Sequence, residues 1–125
     1  MYYIAIMLYN YMIEDLGKTL KILADKNRIR IIKLLEKREL CVCELAFVLG
    51  IKQPSVSRHL RKLKDAGLIG EEQDSFWTNY VLRKPDNAPV KALLNHFRSG
   101  LNGDQQIRED LKKLRQAKRT KLCCK

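Results

Sequence analysis

A mainly α-helical fold carrying one two-stranded β-wing is the architecture this sequence predicts. Three observations predict it. Apolar residues recur at helical spacing along most of the chain, and a tight Gly50-Ile51-Lys52 turn joins two of the helical segments. A pair of short strand-like runs then follows around a polar turn.

The elements follow in order. Leu16, Leu20 and Leu23 fall on one stripe and predict a first helix over roughly 14–24. Asp25 and Asn27 can cap a second helix reaching about Lys37, with Ile31, Leu34 and Leu35 as its apolar face. Residues 39–42 are a short link. Leu45, Val48 and Leu49 mark a brief third helix that Gly50 stops. Pro54 suits the first turn of a fourth, where its missing N–H costs nothing. Val56, Leu60 and Leu63, at i, i+4 and i+7, are that helix's buried stripe, and Gly67 closes it. Leu68-Ile69 and then 76–82 read as strands about a turn near Gln73-Asp74-Ser75. A fifth helix is expected over 87–99, through Val90, Leu93, Leu94 and Phe97, and a sixth over 104–118. Two short helices joined by a tight turn and followed by a wing make a winged helix-turn-helix, in which the second helix of the pair enters the DNA major groove.

At 125 residues the chain has the size of one domain. Its 25 Lys+Arg against 14 Asp+Glu leave a net charge of +11, which points to a polyanion and above all to nucleic acid. Four cations lie between Arg58 and Lys64, in the fourth helix. Eight more, against two acids, lie between Arg108 and Lys125, where a solvated helix face and tail account for most of them. The first thirteen residues are uncharged and mostly apolar, too short to span a bilayer and without the flanks of a signal peptide. They read as an arm packed on the body or on a second subunit, or as the product of a misassigned start ahead of Met7 or Met12. The expected organisation is therefore an arm over 1–13, a DNA-binding and dimerisation domain over 14–100, and a C-terminal helix with a basic cysteine-containing tail over 101–125.

On the fourth helix, Gln53, Ser55, Ser57, Arg58, His59 and Lys62 are the expected DNA-facing side chains. Arg takes guanine bidentately, Gln takes adenine, and Ser bonds bases or phosphates. Thr78, Asn79 and Tyr80 of the wing are expected at the DNA backbone. Each has a blander role: Ser55 and Ser57 can satisfy the helix start, His59 can pack, and Trp77 and Tyr80 can join wing to core.

Cys41 and Cys43 stand one residue apart at the start of the third helix. They can be two small buried hydrophobes, a redox switch, or thiolate ligands of a soft ion. Positions i and i+2 share a face on an extended segment but diverge by about 200° on a regular helix. A chelate by this pair therefore requires an extended or unwound segment. An ion selecting that form would draw the protein away from its DNA-competent state.

The span from Leu16 to Leu82 resembles the ArsR family of winged-helix, metalloid-responsive bacterial repressors. The resemblance rests on Ala24-Asp25, on Glu39-Leu40-Cys41-Val42-Cys43-Glu44-Leu45, on Gln53-Pro54-Ser55-Val56-Ser57-Arg58-His59-Leu60 and on Gly67-Leu68-Ile69. It implies a cytoplasmic homodimer, bacterial or archaeal, that binds double-stranded operator DNA. It also implies release on binding trivalent arsenic or antimony, derepressing arsenic-resistance genes, with no resident cofactor and no membrane partner. The chain departs from the family pattern at Ala46, where arsenic sensors carry a third cysteine; Cys123 or Cys124 is the candidate replacement. His96 lacks the matching second histidine of zinc-sensing relatives, so that site is not carried over. Response to another thiophile, to oxidant or persulfide, or to no inducer are the alternatives. No oxyanion-cradling cysteine loop, Gly-rich phosphate loop or catalytic His pair is present, so no enzyme is expected.

Overall fold

The computed structural model describes residues 2–118, with side chains described from residue 12 onward. The elements are α1 (Tyr2–Leu23), α2 (Lys26–Leu35), α3 (Val42–Leu49), α4 (Gln53–Asp65), β1 (Ile69–Asp74), β2 (Trp77–Leu82), α5 (Ala88–Gly100) and α6 (Gln105–Leu114). The expected mainly helical fold with a two-stranded antiparallel wing is observed.

Local chemistry explains most of the boundaries. The Asp25 carboxylate accepts from the Asn27 and Arg28 amides and starts α2. Gly50 ends α3 at φ 70, the left-handed conformation that a residue without Cβ adopts freely. Asn87 and Asp104 cap α5 and α6 through the amides of Val90 and Ile107.

Three elements depart from expectation. Helix α1 begins at Tyr2 instead of near residue 14, and so runs unbroken across residues 13 and 14. No Pro or Gly precedes Gly17 to stop it, and the first charges at Glu14 and Asp15 are not a start signal. Strand β1 extends through Asp74, because its register with β2 runs from Ile69–Leu82 to Asp74–Trp77. Backbone pairing carries it beyond the apolar residues that mark it in sequence. The turn is thereby confined to Ser75 and Phe76, with Ser75 at φ 58. Helix α6 stops at Leu114, four residues before the expected Lys118.

The core sits among α2, α3, α4 and the root of the wing. Ile31, Leu34, Leu45, Val56, Leu60 and Leu63 are essentially inaccessible. Burial of each such side chain stabilises by roughly 1.5–3 kcal/mol before entropy is counted. The link before α3 is anchored to the wing: Leu40 and Tyr80 exchange both backbone hydrogen bonds, at 3.2 and 2.8 Å. Helix α6 lies across α2 and α3. The Arg30 guanidinium grips Asp110 bidentately at 2.8 and 2.9 Å, and Lys113 lies 5.1 Å from the centre of the Phe47 ring.

Candidate nucleic-acid interface and thiol site

Burial of Val56, Leu60 and Leu63 rotates α4 so that Gln53, Ser57, Arg58, Arg61, Lys62 and Lys64 face solvent. Ser55 is half-buried, and its hydroxyl accepts from the Arg58 guanidinium at 3.1 Å, which pre-positions Arg58 on the outward face. Lys64 pairs with Glu71 of β1 at 3.1 Å, joining helix to wing across a cleft that Ser57, Arg58 and Tyr80 also line.

The remaining expected contacts also have partners within the protein. His59 faces α2: its Nδ1 accepts from Arg28 Nε at 3.2 Å, while the same guanidinium donates to the Ile22 carbonyl. Burial, with Arg28, Lys62 and Arg58 nearby, holds the imidazole below its ordinary range against the opposing pull of Asp25. Burial alone would raise Asp25, yet the amides of Arg28 and Asn27 and the charges of His59 and Arg28 bring it below the ordinary carboxylate range. Asn79 is fully buried and donates to the Glu39 carboxylate at 3.1 Å. Thr78 donates to Gln73 within the wing. Tyr80 is half-buried; that burial, together with the nearby Glu71 carboxylate, raises its phenol.

At the thiol site Cys41 is the residue before α3, extended at φ −91, ψ 170, and Cys43 lies in the first helical turn. The chain is therefore extended at one thiol and helical at the other. Cys41 is buried. Its amide donates to Glu44 Oε1 at 3.0 Å, and Arg38 donates to Glu44 Oε2 at 2.8 Å. Burial, then the Glu44 carboxylate, pushes the Cys41 thiol upward. Burial opposes ionisation of Glu44, but the Cys41 amide and Arg38 hold it below the usual range. Gln53, the first residue of α4, donates its Nε2 to Cys43 Sγ at 3.4 Å. Thiol segment and recognition helix are thus in direct contact. Cys43 is disulfide-bonded in this structure, so it presents a thiolate only after reduction. Cys123 and Cys124 lie outside the described residues, and no cluster of three or more metal-ligating side chains occurs among the described ones.

Arg28, Arg38 and Glu44 also support the site and are not among the site residues the sequence motifs single out. Glu44 was recoverable, because an acid three residues after a helix's flanking residue is the second half of a capping box. Arg28 carries no local signal, since its contact with His59 spans 31 positions, whereas Arg38 lies six positions from Glu44.

Residues 25–70 match the family described as "Bacterial regulatory protein, arsR family". The transcriptional regulator HlyU from Vibrio vulnificus CMCP6 has the same fold at a TM-score of 0.57 and 30% identity, covering 66% of this chain and 83% of that one. The chain belongs to the arsR family. Within it, the "Arsenical resistance operon repressor" of Escherichia coli (strain K12) is 46% identical over 63 residues. That match covers 50% of this chain and 54% of the relative, so the chain spans about half of that protein's length. The cadmium resistance transcriptional regulatory protein CadC of Listeria innocua is 29% identical over 101 residues, 80% of each chain. A homodimeric winged helix-turn-helix DNA-binding domain from Mycobacterium bovis matches at a TM-score of 0.59 and 26% identity, covering 69% of this chain and 80% of that one. The arsR family is one of regulators, in agreement with the expectation that the chain is not an enzyme. The matched span holds α2, α3 and α4 with both cysteines, and stops as the wing begins. Among the described residues no helix is long and apolar enough to cross a membrane.

Proposed function

We propose that the chain is a homodimeric DNA-binding repressor that captures trivalent arsenic or antimony at Cys41 and Cys43 and then releases its operator. The observation that carries this reading is the Gln53–Cys43 contact. A ligand on Cys43 sulfur competes with the Gln53 amide for the same atom, and Gln53 opens the helix that presents Arg58 and Lys62. Capture and base reading then bias one element, as an allosteric coupling requires. The Cys41 thiol needs no prior ionisation to bind arsenous acid, because its proton leaves with a displaced hydroxyl as water.

A third sulfur from Cys123 or Cys124 would replace the thiol absent at Ala46. Arg38 donates both to Glu44 and to the Ala117 carbonyl at 3.4 Å, so the end of the described chain lies beside the thiol segment. Five extended residues from Lys118 reach roughly 17 Å. Dimerisation is supported by Ile13 and Leu20, which expose 70% and 49% of their surface on one stripe of α1, and by the homodimeric relative. A two-fold dimer matches an inverted repeat with half-sites about one helical turn apart.

The test is operator binding titrated with arsenite, antimonite, cadmium, zinc and oxidant on reduced protein. Cys41→Ser and Cys43→Ser should each bind DNA normally and ignore arsenite; release of either variant at the wild-type arsenite concentration removes that cysteine from the site. X-ray absorption should count three sulfurs around arsenic, and two after deletion of residues 122–125. A second reading, release by oxidation, is favoured by the disulfide at Cys43. It predicts release by oxidant and recovery with dithiothreitol, without arsenite.

A further inference from the structure

Behind the wing, away from the thiols and the recognition helix, a cavity of about 350 Å³ opens between α2, the segment after β2, and α5. Ile32, Leu82 and Leu94 supply its apolar lining. Arg83, Lys84, Lys91 and Arg98 supply its charge, and none of these four has an ion-pair partner among the described residues. Glu36 is the acid in the lining, and it is already matched: Lys33, 1% exposed, holds its carboxylate at 2.7 Å and also donates to the Phe97 carbonyl and Asn102. The cavity thus carries an excess of four positive charges over an aliphatic surface.

Gly70 is an independent sign that one of these cations is placed. It lies inside β1, opposite Val81, at no backbone angle that calls for glycine. A Cβ there would collide with the Arg83 guanidinium. The missing side chain is what lets Arg83 lie against the strand at the cavity wall.

We propose that this cavity is a binding site for an organic anion with a short apolar body, of the size of a medium-chain carboxylate. The volume is within the range of small-molecule sites. The Arg83 fork suits a carboxylate, Lys91 and Arg98 add charge at the same mouth, and Ile32, Leu82 and Leu94 take the hydrocarbon. The proposal is independent of the arsenic reading.

Calorimetric titration of the full reduced chain with octanoate, and separately with octan-1-ol, tests it. Saturable octanoate binding is expected, with the alcohol weaker by about tenfold, the loss of roughly one charge-assisted contact. Lys91→Ala should weaken octanoate several-fold. Gly70→Ala keeps every lining residue but drives the guanidinium aside, and should weaken binding likewise with an unchanged circular dichroism spectrum. No saturable binding at millimolar octanoate overturns the proposal. So does equal affinity for the alcohol, or indifference to Lys91→Ala.

Discussion

Helix α4 and strand β1 stand side by side and carry opposite charge. The exposed face of α4 presents Arg58, Arg61, Lys62 and Lys64, whereas β1 carries Glu71, Glu72 and Asp74. The polar residues of the wing also have other tasks: Asn79 is sealed against Glu39, Thr78 is tied to Gln73, and Tyr80 pairs its backbone with Leu40. In α4 the polar side chains are outward because three aliphatic residues turn the helix inward. On this charge distribution we expect attraction to a polyanion to fall on α4, while the Leu40–Tyr80 pairing ties the wing to the link before the thiols.

The largest effect that can break this comparison is expected from Asn79→Asp. The change removes the donor to Glu39 and buries a carboxylate beside another, which should cost about 3–5 kcal/mol, as an uncompensated buried charge does. The loss should ease as pH falls, because protonation restores a neutral donor. Denaturant titrations at two pH values measure it. Operator affinity of the folded fraction should not change; a specific loss of affinity at full folding would return Asn79 to the DNA-facing set.

Arg58→Ala is the converse. Stability should be unaffected, while discrimination between operator and random DNA falls by about 1–3 kcal/mol, the value of a bidentate base contact. Equal losses on both DNAs would reduce Arg58 to a phosphate contact.

The contrast shows which parts of the molecule were legible in sequence. Val56, Leu60 and Leu63, Pro54, and the glycines at 50 and 67 are local signals, each read from a few neighbours, and together they place α4 and its outward face. Asn79 and His59 carry no sequence mark of their partners, because those partners are distant in the chain. Glu39 is 40 positions from Asn79, and Arg28 is 31 from His59. Alternation predicts that a strand has two faces, but it cannot reveal that a polar residue on the inner one has a buried carboxylate to meet. The thiol pair was visible as a motif. Beneath it, Glu44 carries the capping-box signal, whereas the contact of Arg38 with the Ala117 carbonyl, 79 positions away, has no local mark.

Lys64 tests the seam between the two regions. Its pair with Glu71 is half-exposed and contributes little to stability, about 0–1 kcal/mol. Lys64→Ala should therefore leave the melting temperature nearly fixed. On DNA it should weaken specific and random sequences alike, and reduce the slope of log affinity against log salt by about one if Lys64 meets a phosphate. An unchanged slope would mean that Glu71 keeps Lys64 from the DNA.

The smallest effect expected is a pH dependence seated on the inner face of α4. His59 is held below its ordinary value of about 6.5 by burial and by the cations Arg28, Lys62 and Arg58, and its Nδ1 accepts from Arg28. The unfolded chain therefore binds a proton at His59 more readily than the folded one. By linkage the stability contribution is complete above the ordinary imidazole value and is lost as pH falls through it toward the lower folded value. Asp25 works in the same direction further down, since its lowered carboxyl stabilises above the ordinary carboxylate value and ceases to do so as pH falls through the folded one. The two windows are separate, so a stability curve between pH 5.5 and 7.5 isolates His59. Wild-type protein should be less stable at the acid end. His59→Gln, which can still accept from Arg28 but does not titrate, should flatten that part of the curve and leave the operator's salt slope as it was. If instead His59→Gln lowered operator affinity with the pH dependence of stability intact, His59 would belong to the outer face of α4 with Arg58, and the division between a reading face and a holding face would fail at this residue.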